Sequence, residues 1–176
     1  MNTNFVLSFS AHDKPGIVEL VSNTVSSNGG NWLESAMSHL AGRFVGIVVI
    51  DVKSTDSQQL STAVNLLSEQ GLTISFEPMN DLESDATDET LYQSLDIELT
   101  GHDRAGIVAE ISAVLAKYNA NVEDLSTELV SGSMSAELLF KADIHVSVKQ
   151  GSDLDDLQEA IEAIADDLMV DIHLNS

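Results

Sequence analysis

The sequence predicts an α+β protein built from two ferredoxin-like βαββαβ units, each a four-stranded antiparallel sheet with two helices on one face. Three observations carry that prediction. The hexapeptide AHDKPG at 11–16 returns as GHDRAG at 101–106. Apolar residues recur with the two-residue period of a strand, then with the three-to-four-residue period of a helix. The order strand, helix, strand, strand, helix, strand is read once in 1–79 and again in 91–176. An acidic segment, NDLESDATDET at 80–90, lies between the two as a solvated linker.

In the first unit, NFVLSFS at 4–10 alternates Phe5, Leu7 and Phe9 on one face, as a half-buried strand does. Residues 16–28 place Ile17, Leu20, Val21 and Val25 on one helical stripe. Strands follow near 31–40 and 43–53, joined at AGR (41–43). The run FVGIVVI at 44–50 is too short to span a bilayer and reads as a buried strand. A helix over 56–70 uses Leu60, Val64 and Leu67, and a strand over 72–79 closes the unit.

The second unit repeats the order. A strand is expected over 91–99 and a helix over 106–118 with Ile107, Ile111, Val114, Leu115 and Tyr118. Strands follow near 122–130 and 134–147, split by SGS at 131–133. A helix at 153–167 spaces Leu154, Leu157, Ile161, Ile164 and Leu168 by threes and fours, and a strand at 169–174 ends the chain. Set at an offset of ninety, 12–31 and 102–121 share seven of twenty residues. These are His12/His102, Asp13/Asp103, Gly16/Gly106, Ile17/Ile107, Val18/Val108, Ser22/Ser112 and Asn31/Asn121. Unrelated segments would share about one, so the chain is a duplication.

Composition narrows the function. Seven Lys and Arg face 29 Asp and Glu, for a formal net charge of −22, and the basic residues are scattered singly. A nucleic-acid-binding protein clusters its cations on one face, so direct DNA or RNA binding is not expected. There is no cysteine, which removes disulfide, thiolate and cysteine–metal chemistry. The N-terminus has neither the basic start nor the apolar core of a signal peptide, so a cytoplasmic protein away from membranes is expected. With aromatic residues at 5%, the stacking platform of an RNA-recognition sheet is not expected either. An acylphosphatase of this fold needs an anion-binding loop, and Asp13 and Asp103 stand where its phosphate would sit. Catalytic residues, metal ligands and a cofactor are not expected.

The repeated loop carries the candidate site. Asp13 and Asp103 either cap the following helix or contact a ligand. Gly16 and Gly106 either let helix and strand pack closely or let a carboxylate approach backbone N–H groups at the positive end of the helix. Asn31 and Asn121 are turn residues or ligand contacts. His12 and His102 are surface residues inherited through the duplication, or imidazoles that meet a ligand ammonium. Pro15, placed near a helix start, is replaced by Ala105 in the second copy.

The run DKPGIV at 13–18 followed by Asn31, repeated as DRAGIV at 103–108 followed by Asn121, resembles the ACT-domain family. The tandem arrangement, with no catalytic domain in the chain, is similar to the glycine cleavage system transcriptional repressor group. That resemblance implies amino-acid binding at domain interfaces, with the strand–helix loop (His12, Asp13, Gly16, Ile17; His102, Asp103, Gly106, Ile107) on the carboxylate. Asn31 and Asn121 would then hold the amine. It also implies a non-enzymatic regulator that senses a small amino acid, glycine among the candidates, and acts by binding a regulator protein of the LysR type. Pairing of modules to cover open sheet faces leads to an expected homo-oligomer. The alternatives are a ligand-free acidic adaptor and an acylphosphatase-like hydrolase.

Overall fold

The computed structural model describes residues 1–79, 92–131, 138–168 and 170–175, with side chains as far as Ile164. The expected linker at 80–90 and residues 132–137 lie outside the described residues. The chain divides into two compact units, Met1–Ser84 and Asp85–Ser176.

Unit 1 runs β1 (Asn2–His12), α1 (Ile17–Ser27), β2 (Gly30–Leu40), β3 (Arg43–Lys53), α2 (Ser57–Asn65), a 3₁₀ turn (Leu66–Gln70) and β4 (Thr73–Pro78). Unit 2 runs β5 (Tyr92–His102), α3 (Ile107–Lys117), β6 (Asn121–Ser131), β7 (Leu138–Lys149), α4 (Leu154–Leu168) and β8 (Val170–Asn175). The sheets have the spatial orders β2-β3-β1-β4 and β6-β7-β5-β8, antiparallel throughout. This is the expected ferredoxin-like topology, twice.

Long-range pairing sets the ends of the elements. β1 extends beyond the expected 4–10 because β3 pairs with it over its whole length, from Asn2↔Lys53 to His12↔Arg43. The hairpin between β2 and β3 turns on Ala41 and Gly42, both at positive φ (50° and 73°), the backbone of a two-residue type I′ turn. The expected helix 56–70 splits into α2 and the 3₁₀ turn, which ends at Gly71 (φ 88°). Each sheet buries one face under its helices. Leu7, Val21, Val48, Ile50 and Leu60 are fully buried in unit 1, and Ile97, Leu99, Leu115, Val146 and Leu157 are at most 1% exposed in unit 2.

The two cores reach the same packing by different means. Gly46 on β3 is paired with Phe9 on β1, and a Cβ added there would stand 2.7 Å from the Phe9 ring. The matching pair in unit 2 is Ala142 with Leu99, so a larger side chain on one strand goes with a smaller one on the next.

The faces away from the helices differ more. In FVGIVVI only alternate residues are buried: Val48 and Ile50 face the core, while Val45 and Ile47 are 41% and 48% exposed. The run is therefore a half-buried strand and not the fully buried one expected, because helices cover only one side of this sheet. Val6 and Val49 sit half-buried on the same open face. The corresponding positions in unit 2 are Asp96, Lys141, Asp143 and His145, with Asp96 against His145 and Glu98 against Asp143 in the ladder. His145 Nδ1 and Asp96 Oδ1 lie within hydrogen-bonding distance there, at 2.5 Å.

Candidate functional site

Each unit carries its repeated loop between the first strand and the first helix. The loop's defining residue is glycine in the left-handed region: Gly16 at φ 94° and Gly106 at φ 100°, each the residue immediately before its helix. An L side chain is strained at such angles, which accounts for glycine at both places. Close packing does not account for it, since a Cβ on Gly16 would have nothing within 4 Å. Neither helix has a side-chain cap; Asp13 and Asp103 lie three residues before the capping glycine, too early for the capping role that the sequence suggested. Asp13 instead lies 3.4 Å from His39 Nε2, an exposed pair, and its N–H donates to the Gly42 carbonyl at 2.9 Å, fastening the loop to the β2–β3 hairpin. In unit 2 the Asp103 N–H reaches the Leu138 carbonyl at 3.4 Å.

The ladder of α1 starts with the Leu20 N–H donating to the Gly16 carbonyl at 2.9 Å. The N–H groups of the preceding first turn have no acceptor within the helix, and the positive end of the helix dipole lies there. A pocket of about 300 Å³ opens at this place, lined by Asp13, Lys14, Gly16, Ile17, Val18, Glu19 and Phe44. The pocket thus holds one cation and a helix N-terminus beside two carboxylates. A larger cleft of about 630 Å³ between α1 and α2 is lined by neutral residues and Glu19, with no cation. Three residues expected in the first site, Asp13, Gly16 and Ile17, line the smaller pocket.

His12 and Asn31 lie elsewhere. His12 is the last residue of β1, and strand alternation puts it on the open sheet face with Ser8 and Ser10, away from the helices. Asn31 pairs with Asp51, whereas the loop lies at the Arg43 end of the same strand. Eight residues of β3 separate them, about 26 Å at the rise of a strand. His102 and Asn121 occupy the same places on β5 and β6. No single unit brings its loop and its asparagine together.

Asn121 has an engagement of its own that sequence reading did not find. Its amide donates to Glu123 Oε1 at 2.8 Å, and the Ser147 hydroxyl donates to the same oxygen. The Ser147 and Asn121 hydrogen bonds, in that order, hold the Glu123 carboxyl below its ordinary value, and nearby His145 adds a smaller lowering effect. Leu33 stands at the corresponding position of unit 1. Sequence reading also missed an ion pair in the second loop: Arg104 Nη2 donates to Glu110 Oε1 at 3.1 Å and to Oε2 at 3.0 Å. Among the described residues no group of three or more His, Cys, Asp or Glu side chains is arranged to hold a metal ion.

Fold and duplication together define a tandem of two small ferredoxin-like modules. The model of the ACT domain family matches residues 3–77 and 93–175, and the chain belongs to that family. It is 36% identical over 76 residues to a UPF0237 protein of Methanosarcina mazei, a match covering 43% of this chain and 77% of that one. It is 38% identical over 77 residues to a UPF0237 protein of Methanopyrus kandleri, covering 42% and 81%. Among solved structures, an unknown protein from Galdieria sulphuraria superposes with a TM-score of 0.83 at 27% identity, over 99% of this chain and 98% of that one. A candidate glycine cleavage system transcriptional repressor superposes with a TM-score of 0.72 at 21% identity, over 99% and 97%, a likeness of fold.

Proposed function

We propose that the chain is a non-enzymatic regulator that senses a small amino acid at its strand–helix loop and passes the signal on by protein–protein contact. The observation that carries this reading is the pocket at 13–19. Lys14 and the positive end of α1 suit a carboxylate, and Asp13 and Glu19 on the same wall suit an ammonium, so the charges match a zwitterion. Asn31 and Asn121 would contact the amine only from a different module than the loop they serve. His12 and His102 are left outside the loop contacts in this reading. The net charge of −22 favours a protein partner over DNA, and a LysR-type activator is the partner that the family resemblance implies. The ligand works as a population shift: it favours one packing of modules by its difference in affinity between two packings. This reading takes the protein to work in the cytoplasm as a homo-oligomer. No helix among the described residues is long and apolar enough to cross a membrane.

Glycine has about five heavy atoms, and at a ceiling near −1.5 kcal/mol per atom its dissociation constant is no better than a few micromolar. A thermal-shift screen against the twenty amino acids at millimolar concentration tests the reading. A ligand at a hundred times its dissociation constant stabilises by about 2.7 kcal/mol, a midpoint rise of several degrees. The expected result is a rise with one or two small amino acids that Lys14→Ala abolishes. Twenty flat curves would overturn the sensor and favour the acidic adaptor.

A further inference from the structure

We propose that the two loops are unequal: the loop of unit 1 is open to an amino acid, whereas the loop of unit 2 is held closed by the protein's own carboxylate, Glu110, and opens only when its pairing with Arg104 is broken. The proposal rests on the amino-acid reading above and adds which loop is used and what silences the other.

In unit 2 the cation of the loop is already taken. Arg104 reaches six residues along the chain, and its Nη2 meets both oxygens of Glu110 at 3.0–3.1 Å. Glu110 Oε1 lies 3.3 Å from the point where a Cβ on Gly106 would stand. The carboxylate therefore rests against the left-handed glycine, in the first turn of α3, where the helix dipole favours a negative charge. Those are the two features, a cation and a helix N-terminus, that a ligand carboxylate would use.

In unit 1 two of these positions are changed and the glycine is uncovered. Lys14 replaces Arg104, Leu20 replaces Glu110, and nothing lies within 4 Å of a Cβ on Gly16. Lys14 makes no ion pair or side-chain hydrogen bond among the described residues. Its own first-turn acid, Glu19, sits one position earlier on the helix, where unit 2 has Ala109, and lines the pocket without a cation bound to it. One loop thus offers an uncommitted cation and an open glycine, and the other a committed cation and a covered one.

The closure is reversible. Arg104 and Glu110 are 41% and 45% exposed, and exposed pairs of this kind are weak and screened by salt. At up to about 1 kcal/mol for such a pair, the tethered carboxylate weakens a ligand at this loop by roughly two- to sixfold.

The test uses the full chain labelled with ¹⁵N and titrated with glycine, L-alanine and L-serine as probes, following the amides of Ile17, Val18 and Glu19 and those of Ile107, Val108 and Ala109. In the unmodified protein a probe is expected to move the first set at lower concentration than the second. In Glu110→Ala, and in the size-preserving Glu110→Gln, the second set is expected to titrate roughly two- to sixfold more tightly than before, with the first set unchanged. Equal affinity of both sets in the unmodified protein would overturn the proposal, as would a second set whose affinity is unchanged in both Glu110 variants while the first titrates. Silence of both sets in every protein would overturn the amino-acid reading, and this proposal with it.

Discussion

The open sheet face of unit 1 and that of unit 2 are built on the same ladder and present opposite chemistry. Val6, Val45, Ile47 and Val49 in the first unit correspond to Asp96, Lys141, Asp143 and His145 in the second. The helix-covered faces of the same strands are apolar in both. Duplication therefore left unchanged what each unit needs to fold, and it diverged where folding makes no demand. An apolar face covered by another surface gains roughly 25 cal/mol per Å² removed from water. A face carrying Asp96, Glu98 and Asp143 loses that gain to the cost of desolvating its charges. The two units are equal as folding units and unequal as surfaces, and the loops repeat that division.

The sharpest way to break the comparison is in the cores, at Gly46. Gly46→Ala sets a methyl 2.7 Å from the Phe9 ring and is expected to destabilise unit 1 by about 1–3 kcal/mol. Adding Phe9→Leu, which recreates the Leu99/Ala142 pair, is expected to recover most of that loss. Trp32, the single tryptophan, packs against the core of unit 1, so its fluorescence during urea unfolding reads this unit alone. Full destabilisation in the double variant would show that the two cores are not interchangeable.

A smaller effect belongs to the glycine of the loop. Gly16→Ala is expected to cost about 1–2 kcal/mol through the backbone angle alone, because the added methyl meets nothing. Gly16→Asn should cost less, since asparagine tolerates the left-handed region. Equal losses for Ala and Asn on the same Trp32 curve would mean that space, and not φ, selects this glycine.

The smallest effect concerns pH and unit 2 only. Hydrogen bonds from Ser147 and Asn121 hold the Glu123 carboxyl below its ordinary value when folded, so folding favours its ionised form. Its contribution is present above the ordinary value and is lost as the pH falls through the lowered one. Ser147→Ala removes the largest cause, and the Glu123 carboxyl followed by NMR is expected to move up toward its ordinary value. An unchanged titration would remove the Ser147 hydrogen bond as the cause.

The fold was legible because it rests on local patterns written twice. Alternation at 4–10, the stripe Leu154–Leu157–Ile161–Ile164 and the repeated hexapeptide each point to the same topology without reference to anything distant. The parts that were not legible depend on pairing across the chain. The length of β1 is set by β3, and the role of Gly46 depends on Phe9, thirty-seven positions earlier. The capping role suggested for Asp13 and Asp103 failed for a related reason. The left-handed turn at Gly16 and Gly106 delays each helix, and only the folded backbone shows where the helix starts. Within the site, the loop was found from its recurrence, but the Arg104–Glu110 pair sits six residues apart across a helix start, a spacing with no sequence signature.

The bond from the Asp13 amide to the Gly42 carbonyl gives the loop of unit 1 a mechanical character. Tied to a tight hairpin, the loop is a bracket on the rim of the sheet and not a lid. On the proposed reading, a ligand seated in a bracket displaces no flap, so its entry into the loop needs no gating step. The loop itself then adds no delay to a response, and its pace is set by the shift between packings that follows.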